Sequence, residues 1–133
     1  MGLPAATATH AAVALDVHVV LVPSPGGPVP VPLPHPFSGT VVGGTVPTVL
    51  VAGLPAAAVG STVMNAPPHL PTPPGVAFQK PPSNRGTVQV GSATVLVGGK
   101  GAARLTDPMT TCNDPADLPA GQIASGAPTV LLG

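Results

Sequence analysis

Proline recurs along the whole chain, from Pro4 to Pro128, 21 times in 133 residues. A ring that fixes φ and removes the amide donor disrupts a helix interior by about 3 kcal/mol. Helices therefore have almost nowhere to form. The one window wide enough, Ala5 to Leu15, shows no apolar stripe at a 3.6-residue period. What recurs instead is a short Val/Leu run bounded by Gly, which reads as strand and turn. Gly39-Thr40-Val41 leads through Gly44 to Thr48-Val49-Leu50-Val51-Ala52-Gly53. Gly86-Thr87-Val88 leads through Gly91 to Thr94-Val95-Leu96-Val97-Gly98-Gly99, and Gly121-Gln122-Ile123 through Gly126 to Thr129-Val130-Leu131-Leu132-Gly133. Each copy is a strand, a Gly turn and a second strand.

Two copies continue alike, as Leu54-Pro55-Ala56-Ala57-Ala58-Val59-Gly60 and Lys100-Gly101-Ala102-Ala103-Arg104-Leu105-Thr106-Asp107. Internal repeats decide architecture before other signals do. The copies lie 46 residues apart (Thr48 to Thr94) and then 35 (Thr94 to Thr129), which suits a fixed-period solenoid poorly. Three short hairpins around one axis, joined by irregular loops, accommodate unequal spacing. The alternative is a β-sandwich with repetitive turns. Between the copies, Val22 to Pro36 and Asn65 to Asn84 are Pro-rich and extended, rigid without regular structure.

At this length one domain is expected, residues 1–133, with residues 1–15 as an N-terminal extension or base segment. Without Trp or Tyr and with only Phe37 and Phe78, the core rests on Val, Leu and Ala. A small core of that kind needs a staple. Cys112 is the only cysteine, so an internal disulfide is impossible and a metal or a partner chain is left. Charged residues are 6% of the chain, four of each sign. Lys80, Arg85, Lys100 and Arg104 are too few and too scattered for a basic patch, which argues against nucleic acid or an anionic membrane as partner. The start lacks a basic n-region and no uncharged apolar run long enough to span a bilayer is free of Pro. The expectation is synthesis in the cytoplasm without a signal peptide.

The residues able to carry chemistry are few. His18, His35, His69 and Cys112 lie outside the repeats, and imidazole with thiolate is a donor set zinc prefers in closed four-ligand sites. His10 is left over. Separations of 17, 34 and 43 residues resemble no short zinc-finger pattern, and each residue also suits a plain packing role. Three hairpins on one axis would nonetheless bring such connecting segments together at one end. Catalysis finds little support. No base or oxyanion hole accompanies Cys112 as nucleophile, and among Asp16, Asp107, Asp114 and Asp117 the last three sit at turn positions. The expectation is a protein that is not an enzyme.

The segments Leu54-Pro55-Ala56-Ala57-Ala58 and Lys100-Gly101-Ala102-Ala103-Arg104 resemble the Pro-Ala-Ala-Arg element of the PAAR-repeat proteins, with Ala58 where Arg is expected and Gly101 where Pro is expected. The preceding Thr-Val-Leu-Val-x-Gly matches as well. So do Pro34-His35-Pro36-Phe37-Ser38-Gly39, Pro67-Pro68-His69, Phe78-Gln79-Lys80-Pro81-Pro82-Ser83-Asn84 and Thr111-Cys112-Asn113-Asp114-Pro115-Ala116-Asp117, so that the resemblance covers roughly Asp16 to Gly133. It is closest to the short PAAR-like proteins of contractile injection systems.

The resemblance implies an all-β fold: a small, loop-rich cone of three β-hairpin repeats with pseudo-threefold symmetry, stapled by a metal near its tip. It implies His18, His35, His69 and Cys112 as ligands, with His10 as the substitute for His18, and one structural ion, Zn2+ or alternatively Fe. It implies a structural spike-tip protein that caps and sharpens the trimeric β-helical spike of a type VI secretion or phage-tail-like apparatus for envelope puncture. One copy would serve each spike trimer. The alternatives are a PAAR-like adaptor that carries a separate effector protein to the spike and, behind it, a small metal-dependent hydrolase. Such a protein would leave the cell as part of the injection particle and touch the target envelope transiently.

Overall fold

The computed structural model describes residues 2–133. Among them there is no helix, and thirteen strands follow one another: β1 (Leu3–Ala5), β2 (Ala11–Val22), β3 (Val29–Gly43), β4 (Val46–Val51), β5 (Leu54–Ala56), β6 (Thr62–Asn65), β7 (Ala77–Phe78), β8 (Arg85–Val88), β9 (Leu96–Val97), β10 (Lys100–Gly101), β11 (Pro108–Thr111), β12 (Leu118–Ile123) and β13 (Ala127–Leu132). Six of them close on themselves in the order β2, β3, β6, β8, β11, β12 and back to β2, all antiparallel. Closure removes the open edges of a small sheet.

The barrel consists of three hairpins, β2–β3, β6–β8 and β11–β12. This is the all-β, three-hairpin architecture expected from the sequence, with one difference in pairing. The two strands of each sequence repeat do not pair with each other. The first (within β3, β8 or β12) is a barrel stave. The second (β4, β9 or β13) turns away and pairs with the segment that follows the repeat, as β4–β5 and β9–β10. At Gly44, with φ of +66°, the chain makes that turn against the backbone of Gly60 and Ser61, where a Cβ would approach within 3.0 Å.

The third copy takes its continuation from the other end of the chain. β13 pairs with β1, Leu3 opposite Leu132. Leu3-Pro4-Ala5-Ala6-Thr7-Ala8-Thr9-His10 thus occupies the place held by Leu54 to Ser61 and by Lys100 to Asp107. Residues 3–15, set apart in the sequence as an extension or base segment, supply this third arm and the beginning of β2.

The three arms meet in a cycle of backbone hydrogen bonds. The amide of Ala6 donates to the carbonyl of Ala103, Ala103 to Ala57, and Ala57 to Ala6, each at 2.9 Å. A second cycle repeats one residue-pair further out: Ala8 to Pro55 at 3.0 Å, Val59 to Gly101 at 2.9 Å and Leu105 to Pro4 at 2.8 Å. Each arm then passes into its stave through one left-handed residue, Thr9, Gly60 or Thr106 (φ +76°, +93° and +73°). A β-branched residue with φ near +75° is strained by roughly 1–2 kcal/mol. It is held there by its own amide, which donates to Val41, Val88 or Ile123 at 2.9 Å in all three arms.

This ring plugs one end of the barrel. Ala6, Ala57 and Ala103 are fully buried with Val41, Val88 and Ile123 and with Ala12, Val63 and Met109, two residue triplets from equivalent positions. Alanine is required on the axis because three chains converge there, and a larger side chain would separate the amides that bond. Glycine on the staves answers to Met109: a Cβ at Gly86 would lie 2.8 Å from its sulfur, and one at Gly121 2.7 Å from its methyl. Overpacking a filled core costs about 1–3 kcal/mol. Ala57→Val is therefore expected to lower the unfolding free energy by about 1–3 kcal/mol, read from the urea midpoint; an unchanged midpoint would show that the ring tolerates expansion.

Candidate metal centre

At the other end, β2 and β3 run beyond the barrel. β2 pairs with β12 only as far as Ala14, opposite Gly121, whereas β2 and β3 stay paired out to Val22 and Val29. Strand alternation keeps Asp16, His18 and Val20 of β2, and His35 and Phe37 of β3, on the inward face, where all five are essentially buried. Two loops supply the rest. His69 follows β6, and its amide donates to Asn84 Oδ1 at 2.7 Å. Cys112 follows β11, and the residues after it are sewn to the free edge of β2. Val17 N donates to Asn113 Oδ1 (2.7 Å), Val19 N to Asp114 Oδ2 (2.9 Å), and Asp114 N to the Val17 carbonyl (2.9 Å).

Four side chains converge there, all buried: Asp16, His18, His69 and Cys112, with one ligand atom from each lying within 4.8 Å of the others. His69 Nε2 is 3.0 Å from Asp16 Oδ2, Cys112 Sγ is 3.5 Å from the same oxygen, and Cys112 Sγ is 3.6 Å from His18 Nε2. Ligands at the usual zinc distances of about 2.0–2.3 Å span tetrahedral edges of roughly 3.3–3.8 Å. The second carboxylate oxygen, Asp16 Oδ1, is fixed by the Thr111 hydroxyl and the Asn113 amide.

The structure thus brings His18, His69 and Cys112 together, and His35 beside them. The His35 ring centre lies 5.4 Å from that of His18 and 5.6 Å from that of His69. Its nitrogens, however, engage backbone. Nδ1 is 2.8 Å from the Leu33 carbonyl, and Nε2 accepts the Thr72 amide at 3.1 Å. Phe78 closes over His18 and His35 with ring centres 5.9 and 5.3 Å away. His10 stands at the far end of β2. Its Nδ1 accepts the Thr7 amide at 2.9 Å, the capping role that Ser61 plays for Ala58 and Asp107 for Arg104 in the other arms.

Asp16 is the member that sequence reasoning left out of the ligand set. Its signal was present: in a strand, residues two apart share a face, so a carboxylate at 16 accompanies an imidazole at 18.

The residues fit a divalent cation. Burial lowers the His18 pKa below its ordinary value, as do neighbouring His69 and His35, against the opposing pull of Asp114 and Asp16. Burial raises the Cys112 pKa, and the Asp16 carboxylate adds to that rise. His18 Nδ1 faces Asp114 Oδ2 at 3.5 Å and is the one buried side-chain nitrogen or oxygen, among the described residues, without a hydrogen-bond partner. Two imidazoles, a carboxylate and a thiol are a donor set that a zinc-type ion would complete: the ion favours the thiolate and reverses the repulsion between the two acidic groups.

The two shifts set a pH window for the metal-free protein. A His18 pKa below its unfolded value means that the unfolded chain binds more protons, so stability is full above about 6.5 and declines as pH falls below it. A raised Cys112 pKa means that stability is full below about 9.0 and declines as pH climbs through the folded value. Denaturant midpoints of chelator-treated protein are expected to be highest between these limits and to drop on both sides; a flat profile would contradict the assignment.

Residues 79–133, which include β8 to β13 and Cys112, match the family model for the PAAR motif. No curated protein matches the chain. The match spans the second and third copies of the repeated arm, so this part of the three-hairpin barrel carries the PAAR motif.

Proposed function

We propose that this protein is the tip of a contractile injection spike, seated on the threefold end of a trimeric β-helical shaft, one copy per trimer. The observation that carries this reading is a set of three leucines at equivalent positions in the three arms. Leu50, Leu96 and Leu131 are 62%, 63% and 60% exposed. Beneath them lies a second apolar cluster, formed by Ala56, Ala58, Val97 and Ala102 with Val46, Val49, Val51, Val95 and Leu132 packed against it. A monomer with three near-identical apolar contacts suits a partner with true threefold symmetry, which meets each contact with the same surface. Burying a leucine that is about 60% exposed is worth on the order of 1–2 kcal/mol, so three make a modest, repeatable seat. An adaptor that only carried an effector would have no use for threefold equivalence.

In this reading the role is mechanical, without turnover. The chain would be assembled inside the producing cell and carried outward by the particle. The metal, zinc by its donor set, ties strand β2 to the loops after β6 and β11 at the end remote from the leucines. A structural zinc can contribute on the order of 10 kcal/mol to folding, which suits a small core that must bear force.

Two outcomes are expected. Elemental analysis of the purified protein should give one zinc per chain, and Cys112→Ser or His18→Ala should lose it with a marked fall in melting temperature. A metal-free wild type with the same melting temperature would overturn the staple. The triple change L50E/L96E/L131E should retain the metal and the fold yet fail to co-purify with the spike trimer; undiminished capture would overturn the seat.

A further inference from the structure

Beyond the barrel, the β2–β3 hairpin has two open edges, and they are treated differently. On the β2 side the outward amides of Val17 and Val19 are taken by Asn113 and Asp114, and the carbonyls of Val19 and Leu21 accept Gln79 and Val76 at the approach to β7. Residues 17, 19 and 21 therefore point away from β3. Their partners across the ladder are Pro34, Pro32 and Pro30, with Pro36 opposite Leu15. In an antiparallel pair, residues opposite one another point both sets of backbone groups either inward or outward together. Pro30, Pro32, Pro34 and Pro36 thus occupy every outward position of β3 from residue 30 to residue 36, the part beyond the barrel, and the donors on that stretch of edge are missing.

An exposed edge with free amides is a template for another strand, and proteins usually guard it with charge, a bulge or proline. Charge is not used here: between Asp16 and Lys80 the chain has no Asp, Glu, Lys or Arg. The edge is flanked by the exposed apolar side chains of Val29 and Leu70, which would add to the attraction between copies. Of the carbonyls on the edge, that of Pro34 already accepts the Thr72 hydroxyl at 3.0 Å. We infer that the alternating prolines of β3 are a device against strand addition, keeping the uncharged hairpin end from pairing with a second copy of this chain. The inference stands independently of the spike reading, because it concerns the free chain in solution.

The test compares the full-length chain with two variants, P30T/P32T and P30K/P32K, by analytical ultracentrifugation over a wide concentration range. Both restore two edge amides and both remove the stiffness of proline, but only threonine leaves the edge uncharged and favourable for pairing. Wild type is expected to remain monomeric. P30T/P32T should form dimers or larger species whose share rises with concentration, with an unchanged circular dichroism spectrum. P30K/P32K should remain monomeric. Monomeric P30T/P32T at every concentration would overturn the inference, as would a wild type that already associates. Equal association of both variants would also overturn it, since that is the mark of unfolding rather than of a restored edge. If the threonine pair fails to fold, single P32T carries the same expectation at higher concentration, and its monomeric behaviour would count against the proposal.

Discussion

The structure depends on three alanine amides that bond in a circle. A chain poor in aromatic side chains cannot rely on the mass of its core, because each Val or Ala buries little surface and stabilisation scales with area. The cycle of Ala6, Ala57 and Ala103 answers that shortage by topology. It ties the beginning, middle and end of the sequence to one axis with contacts remote along the polymer, and each bond is buried where water cannot compete. Loss of one arm leaves both a donor and an acceptor of the cycle unpaired, at about 1–3 kcal/mol for each buried group. The arms are therefore mutually dependent, and the left-handed threonines at 9 and 106 persist because their neighbours fix the backbone on both sides.

Much of this was legible in the sequence. The proline spacing excluded helices, and the three Thr-Val-Leu runs gave the symmetry and the count of hairpins. What could not be read was pairing. Gly39-Thr40-Val41 and Thr48 to Val51 look like two halves of one hairpin because they are adjacent and both are strand-like. Register and partner are set by tertiary contacts, here the approach of Gly44 to Gly60 and Ser61. The third arm was hidden for a similar reason. Leu3-Pro4-Ala5-Ala6 carries the same letters as Leu54-Pro55-Ala56-Ala57, but it precedes its repeat by the length of the whole chain, and only β1–β13 pairing makes it the continuation of β13.

The candidate metal centre was legible as an inventory of donors more than as a geometry. Donor chemistry and position outside the repeats singled out His18, His35, His69 and Cys112, and all four meet at one end of the barrel. Distinguishing their roles needed coordinates. His10 is the clearest case: as an imidazole it belongs with the other three, yet Ser61 and Asp107 at its equivalent positions show that the site requires only an acceptor for a turn amide. Asp16 is the converse. Alone it is an unremarkable carboxylate, but in register with His18 and opposite His35 it sits among the imidazoles with zero exposure.

The two ends of the molecule meet different physical demands. At the leucine end, symmetry is kept: the three copies of the Thr-Val-Leu run each present an exposed leucine, Leu50, Leu96 and Leu131. At the end that gathers Asp16, His18, His69 and Cys112, symmetry is abandoned. One hairpin, β2–β3, extends past the others, and the loops from the remaining two fold in to supply His69 and Cys112. A closed site needs donors from several directions, and three identical hairpins of equal length would leave an open mouth. The longer hairpin and its satellite loops convert that mouth into a buried cluster. The exposed backbone that results is then satisfied on one edge by Asn113, Asp114 and the approach to β7, and stripped of donors on the other by proline. The high proline content that first excluded helices is, in this part of the chain, the consequence of extending one strand beyond the shelter of its barrel.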